Sequence, residues 1–120
     1  ATEAVESLLI PSGIYYLKVK PRGESFFVEA TMLVRDGKII VQKGATIGNI
    51  KNLTVANWRI IRAALKTNGN ITVEDFEATS PSMAAAIVLG YNSNGWSVWK
   101  NGNGDFIDIY RLHKNIQSTE

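Results

Sequence analysis

The run Met83-Ala84-Ala85-Ala86-Ile87-Val88-Leu89 carries no polar side chain. Rolled into a helix it is apolar on every side, so no orientation leaves a face for water. Such a helix is stable only when other parts of the chain surround it, and the fold has to be built around it. Its ends are marked in the sequence. Ser80 suits the N-cap and Pro81 the first helical position, where a missing N–H costs nothing. Gly90 suits the left-handed residue that ends a helix. A polar loop, Tyr91-Asn92-Ser93-Asn94-Gly95, comes next, and then Trp96 and Trp99 bracket Ser97-Val98.

The block from Ser80 to Lys100 reads S-P-S-x-A-A-A-x-x-x-G-x-x-x-N-G-W-x-x-W-K. It resembles the signature of a bacterial family of unknown function, often found C-terminal to GIY-YIG nuclease domains. It is also similar to the RAMA domain, associated with restriction enzymes and adenine methylases. The likeness extends upstream through Val41-x-Lys43-Gly44 and Arg62-x-x-Leu65-x-x-x-Gly69, and so covers roughly residues 30 to 111. Met83 departs from it, because such domains usually carry Ala there. What the resemblance implies is an accessory module that reads nucleic acid, in particular DNA with a modified base.

Composition narrows the rest. At 120 residues the chain is long enough for one core, and 45% hydrophobic with 20% charged residues is a globular balance. It has no cysteine, which removes disulfides and thiolate metal sites. No apolar run approaches the ~20 residues that span a bilayer, and no leader pattern is present. A cytoplasmic protein without membrane contact is the expectation. The net charge of +2 is small, so partner preference depends on where the charges sit. A chain that begins at Ala1 is read as a processed or excised segment.

Three regions are expected: a weak helix or linker over residues 1–12, one α+β domain over 13–112, and a polar tail over 113–120. Ile14 to Lys20 alternates, with Tyr15, Leu17 and Val19 on one face and Tyr16, Lys18 and Lys20 on the other. Gly13-Ile14-Tyr15 matches the opening of a GIY-YIG nuclease, but the second strand and the catalytic Arg and Glu do not follow. Phe26–Arg35 and Lys38–Lys43 read as strands joined by a type I′ turn at Asp36-Gly37. That register sets Val34 against Ile39, Met32 against Val41, Leu33 against Ile40 and Ala30 against Lys43. A first helix is expected from about Thr54 to Thr67, with Trp58, Ile61 and Leu65 as its buried stripe and Asn68-Gly69 as its stop. Arg59, Arg62 and Lys66 repeat the spacing one residue on and form a basic stripe. Ile71 and Val73 add a short strand, and Phe76 anchors the acidic patch Glu74-Asp75-x-Glu77. Phe106, Ile107 and Ile109 form a returning strand paired with Trp96 to Trp99. The fold class is therefore α+β, an antiparallel sheet of about five strands packed against two helices.

Enzyme chemistry finds little support. The single histidine, His113, lies in the tail, and Ser80 and Ser82 have no activating partner nearby. Glu74, Asp75 and Glu77 read as a solvated turn rather than a Mg²⁺ site, and Asp105 and Asp108 as turn residues. No glycine-rich phosphate loop is present. The expectation is no catalysis, no cofactor and no metal. Binding chemistry does better. Asn92, Asn94, Gly95 and Trp99 combine amide donors and acceptors with flat aromatic surface, a set that can meet a base edge and face. Trp96 is expected in the core and Trp99 at least partly exposed. Lys43, Arg59, Arg62, Lys66 and Lys100 are the candidates for tracking phosphates. Double-stranded DNA is the expected partner, alongside a fused or associated nuclease or methylase. The alternative is a protein-interaction domain docking a parent enzyme through the Asn92–Trp99 surface.

Overall fold

The structure is a computed structural model that describes residues 10–111. The expected helix at the N-terminus and the tail with His113 lie outside the described residues. Among the described residues the elements follow the order β1 (Gly13–Val19), β2 (Val28–Arg35), β3 (Lys38–Val41), α1 (Ala56–Ala64), β4 (Thr67–Asn68), β5 (Ile71–Thr72), β6 (Phe76–Ala78) and α2 (Pro81–Leu89). The main sheet is antiparallel with the order β1-β2-β3-β6, and β4-β5 form a separate hairpin.

The central hairpin adopts the expected register, with Val34 against Ile39, Leu33 against Ile40 and Met32 against Val41. Asp36 and Gly37 both have positive φ, +55° and +76°, as the type I′ turn requires. Alternation then sorts each strand. Tyr15, Leu17, Ala30, Met32, Val34, Ile39 and Val41 are buried on one face of the sheet. The opposite face carries Ile14, Tyr16, Lys18, Glu29 and Thr31, and none of these is buried.

Helix α2 lies on the inner face, against β2, β3 and β6. Helix α1 packs on α2, and the short 3₁₀ turn Gly95–Ser97 packs on it as well. From Met83 to Leu89 every residue is buried, so the all-round apolar run is explained by neighbours on every side. Ser80 Oγ accepts the Met83 amide at 3.1 Å and caps the start. At the other end Gly90 takes φ +89°, and a Cβ there would collide with the Asn49 carbonyl. The incoming segment satisfies the helix end: the Gly48 amide donates to Val88 O and the Lys51 amide to Gly90 O, each at 2.8 Å.

Five expectations change. The pairing of Ala30 with Lys43 does not form. The ladder ends at Val41, the Lys43 amide turns to Asp75 Oδ1 at 2.7 Å, and Glu29 O accepts from Thr46 instead. Helix α1 stops at Ala64, because Leu65 is already extended (ψ 133°). Asn68-Gly69 is consequently not a helix stop but the turn of the β4-β5 hairpin, with Gly69 at φ +65°. The fourth strand of the sheet is β6, where only an anchoring Phe76 was expected. The Trp96–Trp99 strand is replaced by the 3₁₀ turn Gly95–Ser97, where Asn94 Oδ1 accepts the Trp96 amide at 3.1 Å. Its return survives as a single bridge between Lys100 and Phe106, beyond which residues 108–111 are helical. Among the described residues no helix is long and apolar enough to cross a membrane.

Ala85 has no exposed surface. Ala85→Asp is expected to lose on the order of 4 kcal/mol by placing an unpaired carboxylate in the core. Ala63→Asp, on the exposed side of α1, is expected to stay within about 0.5 kcal/mol. Urea denaturation of the two variants and the parent measures the difference.

Candidate nucleic-acid interface

The nine residues that the sequence marks for binding do not form one site. Three of them belong to the core. Trp99 is fully buried, against the expectation of partial exposure, and its Nε1 donates to Pro81 O at 3.1 Å. An indole can be buried only if its N–H finds an acceptor, and the first turn of α2 supplies one. Gly95 is buried against the same turn: its amide donates to Ser82 Oγ at 3.1 Å, and any Cβ would overlap the Pro81 carbonyl.

Arg62 is the third, and it is not part of a solvated basic stripe. Together with Trp58, Ile61 and Leu65 it faces inward. Its Nη1 donates to Ile87 O at 2.6 Å, and its Nη2 donates to Gly48 O. No carboxylate pairs with it among the described residues. Burial lowers its pKa from the usual guanidinium value, while the negative end of the α2 dipole favours the cation. Arg62 thus bonds the last turn of α2 to the chain that wraps it.

The remaining six fall in four places. Arg59 Nη1 donates to Leu53 O at 3.4 Å, and Asn92 Nδ2 donates to Thr54 Oγ1 at 2.6 Å, so these two share the entrance to α1. Asn94 caps the 3₁₀ turn. Lys66 pairs with Glu74 at 3.3 Å, and the Lys43 amide is held by Asp75, which places both beside the acidic turn. Asp75 and Glu74 are engaged there, and no group of three acids or histidines that could hold a metal occurs among the described residues. Lys100 stands alone at the edge of β1.

Lys100 nevertheless leads to a surface that the sequence reading left unassembled. Its backbone pairs with Tyr16 in both directions at 2.8 Å, and it bridges Phe106 on its other side. Tyr16 pairs with Thr31, whose carbonyl accepts the Gln42 amide. Directly opposed residues in antiparallel strands share a face. One transverse row on the open face of the sheet therefore reads Phe106, Lys100, Tyr16, Thr31, Gln42. Phe106 and Tyr16 are 44% and 48% exposed, far above what their size predicts for a core contribution. Lys100 Nζ sits 4.9 Å above the Phe106 ring, and Lys18 Nζ sits 5.0 Å above Phe27, itself 47% exposed. Two hollows flank the Tyr16–Lys18 ridge. One, of about 210 Å³, lies toward Val98, Lys100 and Phe106; the other, of about 280 Å³, lies toward Thr31, Gln42 and Lys43. The signal for Tyr16 and Lys18 was the alternation of β1. Nothing in the order of the chain reveals that Phe27 and Phe106 come beside them.

Over residues 24–111 the chain matches the family described as Domain of unknown function (DUF4357), and it belongs to that family. No curated protein and no solved structure matches it.

Loss of the Arg62 guanidinium leaves two buried carbonyls without donors, so Arg62→Ala is expected to cost about 3 kcal/mol. Arg62→Lys keeps the charge but cannot span both acceptors and is expected to fall between. Arg59→Ala is expected to stay within about 0.5 kcal/mol. Equal unfolding midpoints for Arg62→Ala and Arg59→Ala would show that Arg62 does not hold the end of α2.

Proposed function

We propose that this member of the DUF4357 family is a non-catalytic accessory module that binds nucleic acid through the open face of its sheet. The observation that carries this reading is a set of exposed rings with lysines beside them: Phe106 under Lys100, Phe27 under Lys18, and Tyr16 paired with Lys100. Lysines at such a face supply the sequence-independent attraction to phosphates. The rings supply surface on which bases stack. A restriction-modification or nuclease system, with a fused or associated enzyme, is the setting that the resemblance implies, and a modified base the target it implies.

Docking of a parent enzyme is the second reading. The burial of Trp96 and Trp99 takes the aromatic contact away from the Asn92–Trp99 surface. Ile60, exposed on α1, favours an apolar contact there instead.

The test is a salt titration of affinity for labelled oligonucleotides, single-stranded and duplex, with the parent, Lys18→Ala and Lys100→Ala. Each lysine lost is expected to weaken binding to all sequences alike and to flatten the slope of log K against log salt by roughly 0.7 to 0.9. Negligible binding of every oligonucleotide by the folded parent at low salt would overturn the nucleic-acid reading and favour docking.

A further inference from the structure

We infer that the open sheet face takes single-stranded nucleic acid, with unpaired bases laid along the row from Phe106 to Gln42. This deepens the nucleic-acid reading above and rests on it. The first argument is the chemistry of the surface. Phe106, Tyr16 and Phe27 present ring surface to solvent, and ring surface is matched by the face of a base. In a duplex those faces are already stacked on one another, and only phosphates, sugars and groove edges remain outside.

The second argument is shape. Reading a duplex from its major groove needs a helix or ribbon that enters it. Here α2 lies against the inner face and α1 packs on α2, so the row is a face of the sheet and not a protruding helix. Aromatic residues on an open four-stranded sheet are a known way to hold splayed bases. The row crosses five positions at ~4.8 Å spacing, about 19 Å, which accommodates at most about five nucleotides at 3.4 Å each.

The two hollows divide the work. The one beside Phe106 and Val98 is lined by two rings, Tyr16 and Phe106, and two lysines, Lys18 and Lys100, which suits a stacked base and its phosphate. The one beside Thr31 and Gln42 offers a hydroxyl and an amide, and a glutamine amide can bond an adenine edge in two places. Glu29 also lines it, opposite Lys18 in the register. A carboxylate there can accept from an exocyclic amino group of a base, while Lys18 and Lys43, which line the same hollow, attract its phosphate.

The experiment is fluorescence anisotropy with ten-nucleotide DNA and RNA strands and the matching duplex, on the parent, Tyr16→Ala, Tyr16→Phe, Lys18→Ala and Gln42→Ala. The parent is expected to bind single strands at least tenfold more tightly than the duplex. Tyr16→Ala is expected to lose roughly 5- to 100-fold for single strands with an unchanged salt slope, while Tyr16→Phe retains affinity. Gln42→Ala is expected to change the ratio of affinities between adenine and pyrimidine strands. Duplex binding at least equal to single-strand binding, dependent on Lys18 but indifferent to Tyr16, would overturn this inference and leave the nucleic-acid reading standing. An absence of binding to strands and duplex alike by the folded parent would overturn both. Thermal melting of Tyr16→Ala, a half-exposed position, separates loss of contact from loss of fold.

Discussion

A helix with no polar side chain cannot end in water, and this constraint organises the protein. The first amides and last carbonyls of any helix lack partners within it, and α2 is surrounded at both ends. Each group must therefore be answered from elsewhere. Ser80 Oγ answers the start by accepting the Met83 amide, and the first turn also accepts from its neighbours, the Ser82 hydroxyl from Gly95 and the Pro81 carbonyl from Trp99. Gly48, Lys51 and Arg62 answer the end. These partners come from the loop before α1, from α1 itself and from the turn after the polar loop. The packing of distant segments follows from the needs of nine residues.

The residues of the Ser80–Lys100 block are thereby largely accounted for. Ser80, Pro81, Gly90, Gly95 and Trp99 each hold α2 in place, so the pattern S-P-S…G…N-G-W…W-K is chiefly a description of how one helix is buried. A binding reading of the same residues draws on the same chemical types. An amide, an indole N–H and a glycine serve a base edge as well as they serve a buried backbone. Only burial separates the two uses, and burial is a property of the assembled chain.

That is also where legibility divides. The strand β1, the Asp36-Gly37 hairpin and its register, and the buried helix α2 were readable because each depends on a local rule: alternation, turn chemistry, capping. Arg62 was not. It lies one position from Ile61 and four from Trp58, so it falls inside the apolar stripe, but an arginine in a helix reads as solvated unless its acceptors are known. Those acceptors, Ile87 O and Gly48 O, are 25 and 14 residues away. The β4-β5 hairpin was misjudged because Asn-Gly serves equally as a helix stop and as a turn. The row on the open face was invisible for a similar reason. It joins residues from both ends of the described chain through two single-residue bridges.

Those bridges carry a consequence for motion. The amides within α2 are enclosed by the sheet, α1 and the 3₁₀ turn, so their hydrogens exchange with solvent only when the whole domain opens. The segment from Lys100 to Phe106 is fastened differently, by paired bonds at single residues separated by an exposed turn. Trp99 and Ile107 on either side of it are fully buried, so easy opening is confined to the exposed turn between them, whose exchange is expected to report a lower free energy than that of α2. The protein thus combines a helix enclosed on every side with an exposed turn held only at its base, and the aromatic row ends at that base, on Lys100 and Phe106.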